Sequence, residues 1–171
     1  RFANACASLG LGARELSRDC GVDILSFGGT KNGLMFGEAV VFFEPRAAEH
    51  FAFTRKQGLN LASKMRFLSA QFIELVRDGL WLENARHANA MAARLARSIE
   101  AMTDLEFVYP VQSNAIFVRM PADMATRLRE RFEFHTWDEA SSVVRLMTSY
   151  STREEDVDAF AEAIARFEKA R

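Results

Sequence analysis

The chain has 171 residues, 49% of them hydrophobic and 26% charged, with a formal net charge of −1. That composition suits a globular chain of one domain or two small ones. Scattered, balanced charge argues against a nucleic-acid or acidic-membrane partner, and no apolar run reaches the ~20 residues of a membrane helix.

The first segment, Ala3 to Asp19, has small and apolar residues at helical spacing, with Leu9, Ala13 and Leu16 near one face and Gly21 as the stop. "VDILSF" reads as a short strand, "GGTKNG" as a loop and "EAVVFF" as a second strand. The second strand is continuously apolar, which predicts a sheet covered on both faces. Pro45 sets the start of a helix running to about Gly58.

From Leu59 to about Met102 the pattern predicts helix almost throughout, broken at Gly79. "LEFVYP" and "SNAIFVRM" follow as strands, with Pro110 and a polar turn between them. "PADMATRLRERF" reads as a helix, "EFHTW" and "VVRLMTSY" as two more strands. The last helix carries the stripe Val157, Phe160, Ala161, Ile164 and Phe167. Ser151 with Glu154, or Thr152 with Glu155, fits a capping box at its entry. The order predicts the end of an α/β domain, a helical connection and a small α+β domain, with no internal repeat. The opening residues, lacking an initiator methionine or a signal segment, lead us to expect a piece of a longer chain.

Two cysteines, Cys6 and Cys20, make neither a disulfide framework nor a metal site, and a reducing, cytoplasmic compartment is expected. His50, His87 and His135 have no partners at metal-ligand spacing, so no metal is expected. His50 reads as a helix-surface residue, His87, in a helix with Arg86 and Asn89, as structural, and His135 as a packing residue.

Lys31 stands out in the glycine-rich loop. Asn32-Gly33 is a hairpin turn signal, and an exposed lysine in such a turn is an ordinary reading. The loop from Gly28 to Gly37 is long for a two-residue hairpin, and it carries Leu34, Met35 and Phe36. A nucleotide loop is rejected, because Thr30 precedes the lysine and Asn32 follows it. A Schiff-base lysine is a third reading beside the ordinary turn: a desolvated or charge-neighboured amine attacks an aldehyde. Glycines let backbone approach a planar cofactor, and Thr30 offers a hydroxyl and an N–H to a phosphate.

The stretch "DILSFGGTKNGLMFGEAVVFF" resembles the lysine segment of the threonine aldolase family, pyridoxal-phosphate enzymes grouped with the beta-eliminating lyases. "RFANA", "KMRFLSAQ", "ENARHANAMAARLA" and "VVRLMTSYST" also resemble family segments, so the likeness covers essentially the whole chain. The resemblance implies the C-terminal part of the large, aspartate-aminotransferase-like domain over residues 1–80, with its connecting helix. A small α+β C-terminal domain would occupy residues 81–171. It implies pyridoxal 5'-phosphate as cofactor and retro-aldol cleavage of a β-hydroxy-α-amino acid to glycine and an aldehyde. Threonine, allo-threonine and phenylserine are the candidate substrates.

By the same resemblance Lys31 is the Schiff-base lysine, and Thr30 and Arg66 are cofactor-phosphate ligands, Arg66 in a neighbouring subunit. Arg1, matching the arginine of an Asp-Gly-Ala-Arg motif, and Arg145 would hold the substrate carboxylate. A guanidinium fork suits that task through two parallel hydrogen bonds. The family's partner for the pyridine nitrogen and its β-hydroxyl base are expected ahead of Arg1. A homo-oligomer, dimer or tetramer, is expected. Another pyridoxal-phosphate lyase or aminotransferase of this fold, and a non-catalytic fragment serving subunit association, stay open at this point.

Overall fold

The computed structural model describes residues 1–169. The chain divides into two compact units, Arg1–Asn84 and the residues from Ala85 onward.

The first unit opens with α1 (Phe2–Leu9). This helix is shorter than the pattern predicts. Gly10 takes a left-handed conformation (φ 67°) and its N–H bonds back to the Cys6 carbonyl, which closes the helix. The chain then passes through turns and a 3-10 segment at Arg18–Cys20, stopped by Gly21. Strands β1 (Ile24–Gly28) and β2 (Glu38–Phe42) pair antiparallel, from Ile24 opposite Phe42 to Gly28 opposite Glu38.

The expectation that β2 is covered on both faces is not met within this chain. The sheet has two strands among the described residues, and Ile24, Val40 and Val41 are exposed. A ribbon this narrow has too few neighbours to bury both faces.

Pro45 opens a 3-10 turn (Pro45–Ala48), and α2 (Phe51–Gln57) starts only after it, ending at Gly58. Helix α3 (Arg66–Val76) and the long α4 (Leu80–Met102) flank a kink at Arg77–Gly79. The predicted continuous helix from Leu59 is interrupted, because Leu59 and Lys64 both adopt positive φ.

The second unit begins within α4. Three antiparallel strands lie in the order β3 (Ala115–Arg119), β5 (Val143–Met147), β4 (His135–Asp138). Between them in sequence runs α5 (Ala122–Leu128), and α6 (Glu154–Lys169) closes the chain. "LEFVYP" contributes only an isolated bridge, Phe107 opposite Val118, instead of a strand. Proline at 110 removes a ladder donor there.

One face of the sheet carries the core. Ile116 and Val118 from β3 and Val144 and Leu146 from β5 meet Leu95 and Ile99 of α4, Met124 of α5, and Val157, Phe160 and Ile164 of α6. The predicted stripe of α6 is this buried face, with Phe167 half-buried at its margin. Arg94 of α4 grips α6 through two hydrogen bonds to Asp158 (2.9 and 2.8 Å) and a contact to Glu154 (2.9 Å). The predicted capping box does not form at the start of α6. Val157 N–H bonds to the Arg153 carbonyl, while the Thr152 hydroxyl accepts from Ser149 N–H in the preceding turn.

Candidate active site

Lys31 occupies the middle of a 3-10 turn, Thr30–Asn32, bracketed by Gly29 and Gly33. Both glycines are required by the geometry. A Cβ on Gly29 would lie 2.5 Å from Leu34 Cδ2 and 3.1 Å from Phe72 Cζ. Gly33 has φ 116°, which L side chains rarely adopt. The turn closes on itself through Asn32 N–H to the Gly29 carbonyl (2.9 Å), Leu34 N–H to the same carbonyl (3.1 Å) and Gly29 N–H to the Gly37 carbonyl (3.0 Å). Leu34 is buried, whereas Met35 and Phe36 are 82% and 54% exposed, so the loop's apolar residues have unequal cover in this chain.

The side chains of the turn point to different tasks. Thr30 Oγ1 accepts a hydrogen bond from Gly37 N–H at 3.1 Å, which leaves its own hydroxyl proton available to an acceptor. Asn32 is buried, and its Nδ2 donates to the Trp81 carbonyl at 2.9 Å. Asn84 Nδ2 donates in return to the Asn32 backbone carbonyl at 2.8 Å. Lys31 between them is exposed.

Aromatic packing brings α1 to this turn. The Phe27 ring at the end of β1 meets Phe2 at 6.2 Å, Trp81 at 5.9 Å and Phe72 at 6.5 Å between centroids. Phe2 adjoins Arg1 in sequence, so the first residue stands beside this aromatic cluster. Thr30 is beside Lys31 on the turn, and Arg1 is one residue from the Phe2–Phe27 contact at the end of β1. This donor set (a primary amine, a hydroxyl and a guanidinium) fits a carbonyl-bearing, anionic group. Arg66 is the first residue of α3. It is exposed, and its guanidinium lies 4.9 Å from the centroid of its neighbour Phe67.

Arg145 lies in the second unit, on the sheet face opposite the core. In the ladder it stands between Phe117 of β3 and His135 of β4. Its guanidinium is 5.3 Å from the Trp137 ring centroid, and its buried Nε has no hydrogen-bond partner among the described residues. Trp137, Phe117 and Tyr109 form an edge-to-face row with centroids 5.1 and 5.4 Å apart. A few residues on, buried Thr148 donates from Oγ1 to the Ala88 carbonyl (2.6 Å), and Asn114 Nδ2 donates to the Thr148 carbonyl (2.7 Å).

The expected packing of His135 is not met, because the edge strand β4 is exposed along its length. His87 Nε2 lies 2.7 Å from the Thr152 carbonyl, His50 precedes α2, and His135 is exposed on β4. Burial pushes the Cys6 thiol up, away from thiolate chemistry. No group of three or more His, Cys, Asp or Glu among the described residues is arranged to hold a metal. No described helix is long and apolar enough to cross a membrane. The sequence reading missed Asn32, Asn84, Asn114 and Thr148. Asn-Gly signalled a turn and nothing about a buried amide, and the partners of the others lie far away in sequence.

Comparison with known proteins places this geometry. The chain is 43% identical over 155 residues to a low specificity L-threonine aldolase of Pseudomonas sp., covering 90% of this chain and 44% of that protein. It is 41% identical over 165 residues to the low specificity L-threonine aldolase of Pseudomonas aeruginosa, covering 96% of this chain and 47% of that protein. The chain thus spans less than half the length of these curated relatives. Among solved structures, Leishmania major threonine aldolase superposes with a TM-score of 0.88 at 30% identity, covering 98% of this chain and 49% of that one. Sphingomonas wittichii serine palmitoyltransferase matches with a TM-score of 0.64 at 15% identity, over 93% of this chain and 43% of that one, a likeness of fold alone. The fold is accordingly the expected one, the later part of an aminotransferase-like large domain followed by a small α+β domain. A beta-eliminating lyase family model matches residues 1–123, the stretch that holds Arg1 and the whole Lys31 turn. The chain belongs to the beta-eliminating lyase family.

Proposed function

We propose that this chain carries the lysine-bearing part of a pyridoxal-phosphate-dependent aldolase that cleaves a β-hydroxy-α-amino acid to glycine and an aldehyde. The observation that carries the proposal is the exposed Lys31 amine on a glycine-bracketed turn whose backbone is held on both sides of the lysine. Similarity to two low specificity L-threonine aldolases supports the reaction class.

Lys31 would hold the cofactor covalently through its amine. Thr30 would donate its hydroxyl proton to the cofactor phosphate while its oxygen accepts from Gly37 N–H. Arg66, exposed at the start of α3, would serve a phosphate in a neighbouring subunit of a homo-oligomer, dimer or tetramer. When bound, the cofactor supplies an electron sink for charge developing at the substrate Cα.

The chain's own part is orientation. Arg1 and Arg145 are assigned to the substrate α-carboxylate, and a bidentate guanidinium fixes which Cα bond is presented for cleavage. For Arg145 the support is its buried Nε without a partner, a donor placed for an acceptor. Threonine, allo-threonine and phenylserine are the substrates proposed, in the cytoplasm.

The test is spectroscopic. The purified protein should show a yellow chromophore that borohydride bleaches, with the reduced pyridoxyl group mapping to Lys31. It should release glycine with acetaldehyde from threonine or benzaldehyde from phenylserine. A chromophore unchanged by Lys31→Ala defeats the assignment. Amino-group transfer to a keto acid without aldehyde release defeats the aldolase reaction and leaves an aminotransferase.

A further inference from the structure

Lys31 makes no hydrogen bond or ion pair among the described residues. Its stem has four flexible methylenes. Where the amine can reach is therefore set by where the backbone of the turn is held. The structure holds that backbone from both sides. On one side, Thr30 Oγ1 takes the Gly37 N–H. On the other, Asn32 is buried and doubly engaged, with Nδ2 giving to the Trp81 carbonyl at 2.9 Å and its own carbonyl receiving Asn84 Nδ2 at 2.8 Å. Trp81 and Asn84 both belong to the first turns of α4, so the lysine turn is pinned to the start of a 23-residue helix.

The packing at the next residue is as tight. A Cβ on Gly33 would stand 2.9 Å from Asn84 Nδ2. The Asn84 amide thus occupies the space beside Gly33 while it bonds Asn32, and the absence of a side chain at position 33 is what admits it.

We infer that Asn84 is a positioning residue for Lys31, acting through the Asn32 carbonyl to fix the backbone from which the lysine reaches its carbonyl partner. This rests on the reading of Lys31 as the cofactor lysine. Asn84 touches neither substrate nor cofactor in this assignment. Its effect is on the reach and angle of the amine, which matter because small misplacements of a reacting group are costly.

The test uses the purified protein stripped of cofactor, as unsubstituted protein, Asn84→Leu (similar volume, no donor) and Asn84→Gln (donor kept). Two rates are read. One is covalent capture of pyridoxal phosphate at Lys31, followed by absorbance and by borohydride reduction with peptide mapping. The other is reductive methylation of Lys31 by formaldehyde, read by mass spectrometry against Lys56 and Lys64 in the same molecule. Capture should slow roughly tenfold in Asn84→Leu and largely recover in Asn84→Gln. Methylation needs no orientation and should be unchanged, because Lys31 is exposed. In the reloaded protein kcat should fall while KM for the amino acid stays constant.

Capture by folded Asn84→Leu within about twofold of the unsubstituted rate overturns the inference, as does a loss that Asn84→Gln fails to recover. Should Asn84→Leu not fold, Asn84→Ala, which also lacks a donor, carries the same comparison. If the unsubstituted protein captures nothing at Lys31, the functional reading itself fails, and the inference falls with it. That result is distinct from equal capture by both proteins.

Discussion

The Arg145 guanidinium rests 5.3 Å from the centroid of the Trp137 ring, while its buried Nε bonds to nothing among the described residues. The ring holds the charge by its quadrupole without consuming a donor, which leaves the fork available for the carboxylate proposed above. A cation–π contact of this kind contributes about 0.5–2 kcal/mol. Trp137→Ala should therefore raise KM for the amino acid by roughly two- to thirtyfold with a smaller effect on kcat. Trp137→Phe should retain most of the affinity. Steady-state kinetics on the three proteins read this, and equal KM values in all three would show that the ring does not orient Arg145.

Arg145→Lys tests the fork itself. Lysine keeps the charge but presents a single ammonium where the proposed carboxylate contact uses two parallel hydrogen bonds. We expect a larger rise in KM for Arg145→Lys than for Trp137→Ala, with the fold retained because Arg145 lies on the face away from the core. Kinetics paired with thermal unfolding separate the two effects.

How much of this was legible in the sequence depends on the range of the interaction. The stripe Val157, Phe160, Ala161 and Ile164 is a period-3.6 pattern, and it is the buried face of α6. The break at Gly79 was legible for the same reason, as a local conformational signal. Leu59 to Met65 looked helical because apolar spacing does not report φ, and Leu59 and Lys64 turn out left-handed. The capping box failed because Thr152 had a nearer donor, Ser149 N–H. In the site, Lys31 and Thr30 came from a contiguous motif. Asn84 was invisible, since its acceptor lies 52 residues earlier and asparagine on a helix face is otherwise unremarked.

The second unit's core can be tested at one residue. Ile164 is fully buried among side chains from the sheet and the other helices. Ile164→Ala should cost about 2–5 kcal/mol, through lost transfer energy and an incompletely filled cavity. Urea unfolding should show a lower midpoint. Exposed Phe53 provides the contrast, and Phe53→Ala should change stability by less than about 0.5 kcal/mol.

Asp158 makes stability depend on acid. Its carboxyl is held below the ordinary carboxylate value by the Arg94 hydrogen bond, partly opposed by desolvation. Below the ordinary value of 3.8 the unfolded chain takes up a proton that the folded chain still refuses. The stabilisation is therefore complete above that value and is lost as pH falls through the lower folded-state value. Asp156, held down by Arg153, adds in the same direction. Asp158→Asn should be less stable at neutral pH and should show a shallower loss as pH falls below the ordinary value of 3.8. Urea midpoints across that range for both proteins decide it, and parallel curves would remove Asp158 from the account.

Gly33 and Gly10 separate backbone strain from crowding at the lysine turn. Both have positive φ, 116° and 67°, so alanine at either is strained. Around Gly10 nothing lies within 4 Å of the place an alanine methyl would take, whereas at Gly33 that place is 2.9 Å from Asn84 Nδ2. Gly10→Ala should cost about 1 kcal/mol and leave Lys31 chemistry untouched. Gly33→Ala should cost about 1–3 kcal/mol and also push the Asn84 amide off the Asn32 carbonyl, because a side-chain end yields more easily than the hydrogen-bonded backbone of the turn. Thermal midpoints should rank the two variants by strain. The rate of pyridoxal phosphate capture at Lys31 should fall only in Gly33→Ala, and adding Asn84→Leu to it should slow capture little further, since both substitutions break the same hydrogen bond.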